Sequence, residues 1–225
     1  MTPEQLADAR GRTLDDLVGG GLRVLFCGIN PGLMSAWTGH HFARPGNRFW
    51  PALHASGFTP RRFAPAEQAG VLELGFGITN VAARATARAD ELTAQELVEG
   101  GRLLRAKVAA HRPAWLAVLG VTAYRVAFDD RAAQVGPQSR TIGTAQEGTA
   151  REGTAQDGVA DGPGGRGATR IWVLPSPSGL NAHWSPAALA EEFARLRSAA
   201  YGAEPVAPHT QSAAGTSPSP IASTS

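Results

Sequence analysis

Residues 22–32 read LRVLFCGINPG. The run Leu22–Ile29 is apolar apart from Arg23, too short for a helix and rich in strand formers. It stops at Asn30-Pro31-Gly32. A continuous apolar strand, rather than an alternating one, is the mark of a strand buried on both faces, as in parallel sheets covered by helices. Pro31 fixes its own φ and steers the residue before it to extended backbone. Gly32 lets backbone approach a ligand closely. The Asn30 amide is therefore held rigidly at the carboxyl end of a strand, where ligands bind in open α/β sheets. Such an amide can orient a water or a carbonyl but cannot serve as a strong base. Asn-Pro-Gly is also ordinary turn chemistry, and the spacing alone leaves both readings open.

Working outward, Thr2 and Pro3 predict a helix start, and residues 46–56 and 64–73 read as helical. GFGITNVA (75–82) reads as a strand end. Thr93–His111 is an amphipathic helix with Thr93 and Glu96 at capping-box spacing. AWLAVLG (114–120) is a buried strand, Val121–Phe128 a short helix, and RIWVLP (170–175) a fourth strand. Ser185-Pro186 starts a last helix ending near Tyr201. Strands alternating with helices predict an α/β fold, three layers α/β/α around a short central parallel sheet. Loops 30–48, 80–91 and 175–184 all follow strands.

Two segments stand apart. GTAQEGTAREGTAQDGVADGPGGRGA (143–168) repeats a five-residue unit and has almost no large apolar side chain, so burial cannot offset its ordering entropy. It is expected to be a disordered insertion in a single domain spanning 1–202, and the Pro/Ser/Ala-rich residues 203–225 a disordered tail. Without them the chain carries 19 basic and 14 acidic residues, a charge of +5 against +2 overall. Every base but Lys107 is arginine, which suits bidentate phosphate recognition. The single cysteine, Cys27, excludes an internal disulfide framework and cysteine-based metal sites, and it reads as core. No run is long and apolar enough for a transmembrane helix, and MTPEQLADAR lacks the apolar region of a signal peptide. A reducing, cytoplasmic location is expected. No phosphate-binding glycine loop or zinc-protease motif occurs, and His40-His41 is too short a cluster to argue for a metal.

LPSPSGLNAHWS (174–185) is a stiff loop that displays N–H groups and hydroxyls suited to phosphate. Leu180 at its tip reads either as a wedge into a base stack or as a side chain packed under the loop. GINPG (28–32), FARPGNRFW (42–50), GITN (77–80) and LPSPSGLN (174–181), in that order, resemble the mismatch-specific uracil-DNA glycosylases, the branch with thymine-DNA glycosylase. The resemblance covers roughly residues 20–142 and 170–200.

It implies a uracil-glycosylase-like fold and a monofunctional enzyme that removes uracil, and related damaged pyrimidines, from G·U mismatches in duplex DNA. Base flipping would expose the nucleotide, water would attack C1′, and an abasic site would remain. Asn30 would position that water. Ile29 and Gly32 would line the base pocket, Phe42 would stack on the base, and Ser35 would lie near the pocket or a phosphate. Asn80 would lie near the strand being read. Gly179, Leu180 and Asn181 would form the wedge, in a loop with Ser176 and Ser178. No metal or other cofactor is implied, and a monomer is expected.

Two departures matter. Ser176 stands where the family usually has asparagine, and a hydroxyl reaches less far. Asp90, in TARADELT (86–93), is a carboxylate able to activate the water; its other reading is a residue that precedes and caps the helix at Thr93. Arg44, Asn47 and Arg48 are suited to phosphates, or Arg48 to a pairing within the fold. Two further readings stay open: a non-catalytic DNA-lesion binder, and a nucleoside hydrolase on a similar sheet.

Overall fold

A computed structural model describes residues 2–143 and 167–202. The residues expected to form the insertion lie almost wholly outside the described part, and the tail from 203 entirely so.

The apolar run forms β1 (Val24–Gly28), all of it buried. Its side chains alternate between two cores. Val24 and Phe26 enter one, with Phe49, Phe58, Phe76 and Phe193. Leu25 and Cys27 enter the other, with Leu104, Leu116, Tyr124 and Val173. This double burial is why the strand reads as a continuous apolar run, and it makes the fold three layers, α/β/α. Phe26 meets the rings of Phe49, Phe58, Phe76 and Phe193 at centroid distances of 5.3–5.9 Å.

The sheet has five strands. β1 lies between β2 (Phe76–Asn80) and β3 (Trp115–Leu119); β5 (Thr169–Leu174) follows β3, and β4 (Gly136–Ile142) closes the edge. The first four run parallel. β4 runs antiparallel to β5, with Ile142 paired to Thr169, so the sheet is not purely parallel and 169–174 is the fifth strand, not the fourth. GPQSRTI escaped prediction because most of its side chains are exposed at an edge, where neither a continuous nor an alternating apolar pattern is needed.

The helices α1 (Pro3–Ala9), α5 (Ala94–His111) and α7 (Pro186–Tyr201) begin where their capping residues predict. Thr2, Thr93 and Ser185 each accept a hydrogen bond from a first-turn N–H. Elsewhere the boundaries move. The helix expected from residue 46 is α3 (Phe49–Ala55) and starts after Arg48. The span 64–73 splits into a 3₁₀ turn (Pro65–Glu67) and α4 (Gly70–Glu73). α2 (Leu33–Thr38) was not expected; Gly32 at its start gives no side-chain cap to signal it. α6 (Val121–Ala127) follows β3 as read. Among the described residues no helix is long and apolar enough to cross a membrane.

Candidate functional site

A cavity of about 820 Å³ opens beyond the carboxyl ends of β1, β2 and β5. Of the twelve residues singled out from the sequence, eleven line it: Asn30, Asp90, Ile29, Gly32, Ser35, Phe42, Asn80, Ser176, Ser178, Leu180 and Asn181. Segments far apart in the chain meet there because parallel connections return every strand end to the same edge of the sheet.

Asn30 is fixed through its nitrogen. Nδ2 donates to the carbonyl of Arg84 at 2.9 Å, to Thr86 Oγ1 at 2.7 Å and to the carbonyl of Pro31 at 3.2 Å. Thr86 Oγ1 donates in turn to the carbonyl of Arg88 at 2.7 Å. All the acceptors lie on the nitrogen side, so Oδ1 is left on the other, where it accepts no hydrogen bond among the described residues. Ile29 packs its side chain over Gly120, and its carbonyl receives the Ala82 N–H at 2.9 Å.

Phe42 forms a wall. It stacks on Phe49 with centroids 4.0 Å apart and planes 26° from parallel. Its backbone has φ 54°, the left-handed region that a bulky L-residue adopts only when its surroundings impose it. Ser35, buried, accepts the Ala43 N–H at 3.1 Å and so holds the residue after Phe42. The floor requires Gly28. A Cβ there would sit 2.5 Å from Asn80 Oδ1 and 3.3 Å from the Phe42 ring. Asn80, at the end of β2, is buried, and its Nδ2 meets no acceptor. An unmet buried donor at a cavity floor costs free energy unless a ligand supplies the acceptor.

Asp90 lies on a 3₁₀ turn (Ala89–Glu91) at the rim. Both its oxygens receive bonds from Arg88, the shortest at 2.6 Å, and these guanidinium bonds hold the carboxyl below its usual range. The pair is exposed, at 69% and 62%. Asp90 does not cap α5: Thr93 and Glu96 form that capping box themselves, and Glu91 caps the 3₁₀ turn by accepting the Arg88 N–H.

The loop after β5 stands opposite. Leu180 is 66% exposed, which settles against its packing under the loop. The Leu180 N–H donates to Ser178 Oγ, and the Ser178 N–H to Ser176 Oγ. Asn181 is used within the loop: Nδ2 donates to the Ser176 carbonyl at 3.0 Å and Oδ1 accepts the His183 N–H. Gly179 does not line the cavity; it packs on Gly46, whose carbonyl would lie 2.6 Å from any Cβ. Arg48 resolves to the fold-internal pairing. Its guanidinium donates to the carbonyls of Ser178 (2.8 Å), Asn181 (2.9 Å) and Trp184, and its N–H to the Pro177 carbonyl.

Other reactive groups are committed to the fold. Lys107 Nζ pairs with Asp16 at 2.6 Å and Thr79 at 3.2 Å, outside the cavity lining. Burial raises the Cys27 thiol far above its usual range. His41 is buried and donates from Nε2 to the Asp15 carbonyl. Among the described residues no group of three or more His, Cys, Asp or Glu side chains could hold a metal ion.

Gly28, Thr86 and Arg88 lie within the quoted stretches but were not singled out, and neither were Leu6 and Leu14, which also line the cavity. Thr86 meets Asn30 across 56 residues of chain, and only the fold creates that contact. Residues 16–197 match the family model described as the Uracil DNA glycosylase superfamily.

Proposed function

From the premise that this chain belongs to the uracil DNA glycosylase superfamily, we propose that it removes uracil, and related damaged pyrimidines, from G·U mismatches in duplex DNA and leaves an abasic site. It acts as a monomer in a reducing, cytoplasmic compartment. The observation that carries the reading is one cavity holding a tethered amide, an aromatic wall and an unmet buried donor, with an exposed leucine at its mouth.

A paired nucleotide keeps its C1′ out of reach, so the base must leave the stack. Leu180 enters the gap and holds it open. The weaker wobble pair lowers the cost of opening. The extruded pyrimidine lies against Phe42, and Asn80 Nδ2 donates to one of its carbonyls. As the N-glycosyl bond lengthens, positive charge grows on the sugar and negative charge on the departing base. Donors fixed before reaction stabilise the latter at little reorganisation cost. Asn30 Oδ1 accepts a hydrogen bond from the water and aligns its lone pair on C1′. Asp90 supplies a carboxylate at the rim for the sugar cation or the water once Arg88 turns to a phosphate. The lone lysine is held in an ion pair by Asp16, so water is the nucleophile and the strand is left intact.

The test is single-turnover base release from G·U, A·U, G·T and single-stranded uracil DNA by wild type, Asn30→Ala and Asp90→Ala. Release from G·U that falls by about 10²-fold or more in Asn30→Ala is expected, the scale of losing one oriented polar group at a reacting centre. Mismatch binding with no release from any substrate would leave a lesion-binding protein instead. Release from free deoxyuridine with little salt dependence would make it a nucleoside hydrolase.

A further inference from the structure

A second cavity, about 490 Å³, lies beside the first and shares Phe42, Arg44 and Asn47 with it. Arg62–Pro65, Trp50 and Pro51 also line it. Arg44 and Arg62 are both exposed, and neither guanidinium meets an acid or a hydrogen-bond acceptor among the described residues. This sets them apart from most other arginines near either cavity. Arg48 is spent on carbonyls, Arg61 on Glu67, Arg84 on Glu96 and Arg88 on Asp90. The one acid in the lining, Glu67, is neutralised. Arg61 grips it at 2.8 and 3.1 Å, the Ala64 N–H donates to it at 2.8 Å, and together they lower its carboxyl to about 2.

We infer that this second cavity is a phosphate subsite for the DNA strand that carries the extruded nucleotide, with Arg44 and Arg62 each neutralising one backbone phosphate. The inference rests on the duplex-DNA reading above. Arg44 borders both cavities, so it reaches a strand that runs from the first into the second. The Arg44 side of the groove is also tied to the wedge loop. Gly46 packs on Gly179 and the Arg48 N–H donates to Pro177, so backbone contact sets where the Arg44 segment stands relative to Leu180. Two unpaired guanidiniums on one groove beside the wedge loop hold the strand while the nucleotide rotates out. Arginine forks suit phosphate oxygens, and each neutralised phosphate releases condensed counterions.

The experiment uses the full chain and a duplex with guanine opposite 2′-fluoro-2′-deoxyuridine, which resists cleavage because fluorine disfavours the sugar cation. Affinity is measured across salt concentrations for wild type, Arg44→Gln, Arg62→Gln, the double variant, Arg62→Lys and Arg102→Gln on α5. The slope of log affinity against log salt should fall by about 1 in each single variant and by about 2 in the double variant. It should hold in Arg62→Lys and Arg102→Gln. Single methylphosphonate replacements along the uracil strand should weaken wild type at one or two positions and leave the double variant unaffected there.

An unchanged slope in the double variant overturns the subsite. So does a deoxynucleoside monophosphate that displaces the duplex from wild type at matched ionic strength, since that marks a mononucleotide site. Absence of base release from G·U by wild type overturns the enzymatic reading instead, and is scored separately on an unfluorinated duplex.

Discussion

Asn30 has its nitrogen tied on one side by Arg84, Thr86 and Pro31, so its oxygen has one direction left in which to act. That tether is a claim about Thr86 as much as about Asn30. In Thr86→Val the amide loses its shortest bond and the Arg88 carbonyl its donor. Base release in single turnover should slow by about 3- to 10-fold, the scale of one net hydrogen bond, with affinity for the fluorinated duplex unchanged. A fall in affinity with no change in rate would assign Thr86 to binding. The second residue-scale prediction concerns pH. An amide does not titrate, and the Asp90 carboxyl, below its usual range beside Arg88 and at the ordinary aspartate value of about 4 without it, is ionised throughout the neutral range either way. The single-turnover rate should therefore be flat from about pH 6 to 9, whichever of the two governs the water. If Asp90 contributes, the rate falls only at acid pH, as the carboxylate protonates, and that fall disappears in Asp90→Asn. A bend near neutrality would require a different titrating group. At this scale the sequence was legible where chemistry is local. Asn30-Pro31-Gly32 declared a rigid strand end. Gly28 and Thr86 did not declare themselves, because one is defined by a Phe42 ring and an Asn80 oxygen above it and the other by a contact 56 residues away.

Among elements, the loop from Ser176 to Trp184 is the one whose shape depends most on a residue outside it. Arg48 bridges three of its carbonyls, and among the described residues no other side chain outside the loop ties it at so many points. Arg48→Ala should leave β1 and the pocket floor in place and free the wedge. The expected outcome is a loss of about 10-fold or more in release from a G·U duplex and a smaller loss from single-stranded uracil DNA, where no stack has to be filled. Equal losses on both substrates would mean that the loop shapes the pocket and not the opening of the duplex. α5 and α7 were legible to the residue, since Thr93, Glu96 and Ser185 carry their start signals in adjacent side chains. β4 and α2 were not. One is a polar edge strand and the other a short turn of helix opened by glycine, and neither has an apolar period to read.

On the scale of the molecule, the three-layer arrangement followed from a single fact, a strand buried on both faces, whereas the antiparallel edge depended on pairing that no local pattern encodes. The same depth of burial makes folding sensitive to mild acid. His41 lies buried between the Asp15 carbonyl and the Trp50 ring N–H, which donates to its own carbonyl. Burial lowers its pKa below the ordinary value of about 6.5. The unfolded chain takes up the proton first. The stabilisation from a neutral His41 is therefore full above about pH 6.5 and is lost as pH falls from there through the lowered folded value. The urea midpoint should drop between pH 7 and 5, and drop less in His41→Asn; parallel curves for the two proteins would remove His41 as the cause. One last consequence comes from the pairing of Ile142 with Thr169. The chain leaves β4 and rejoins β5 at facing positions, whose Cα atoms in such a pair are about 5 Å apart. This junction lies at the amino end of β5, while the cavity lies beyond its carboxyl end. A two-residue hairpin would therefore span the join, and a sensor, tag or tether spliced between Ile142 and Thr169 would be anchored at the end of the sheet opposite the cavity.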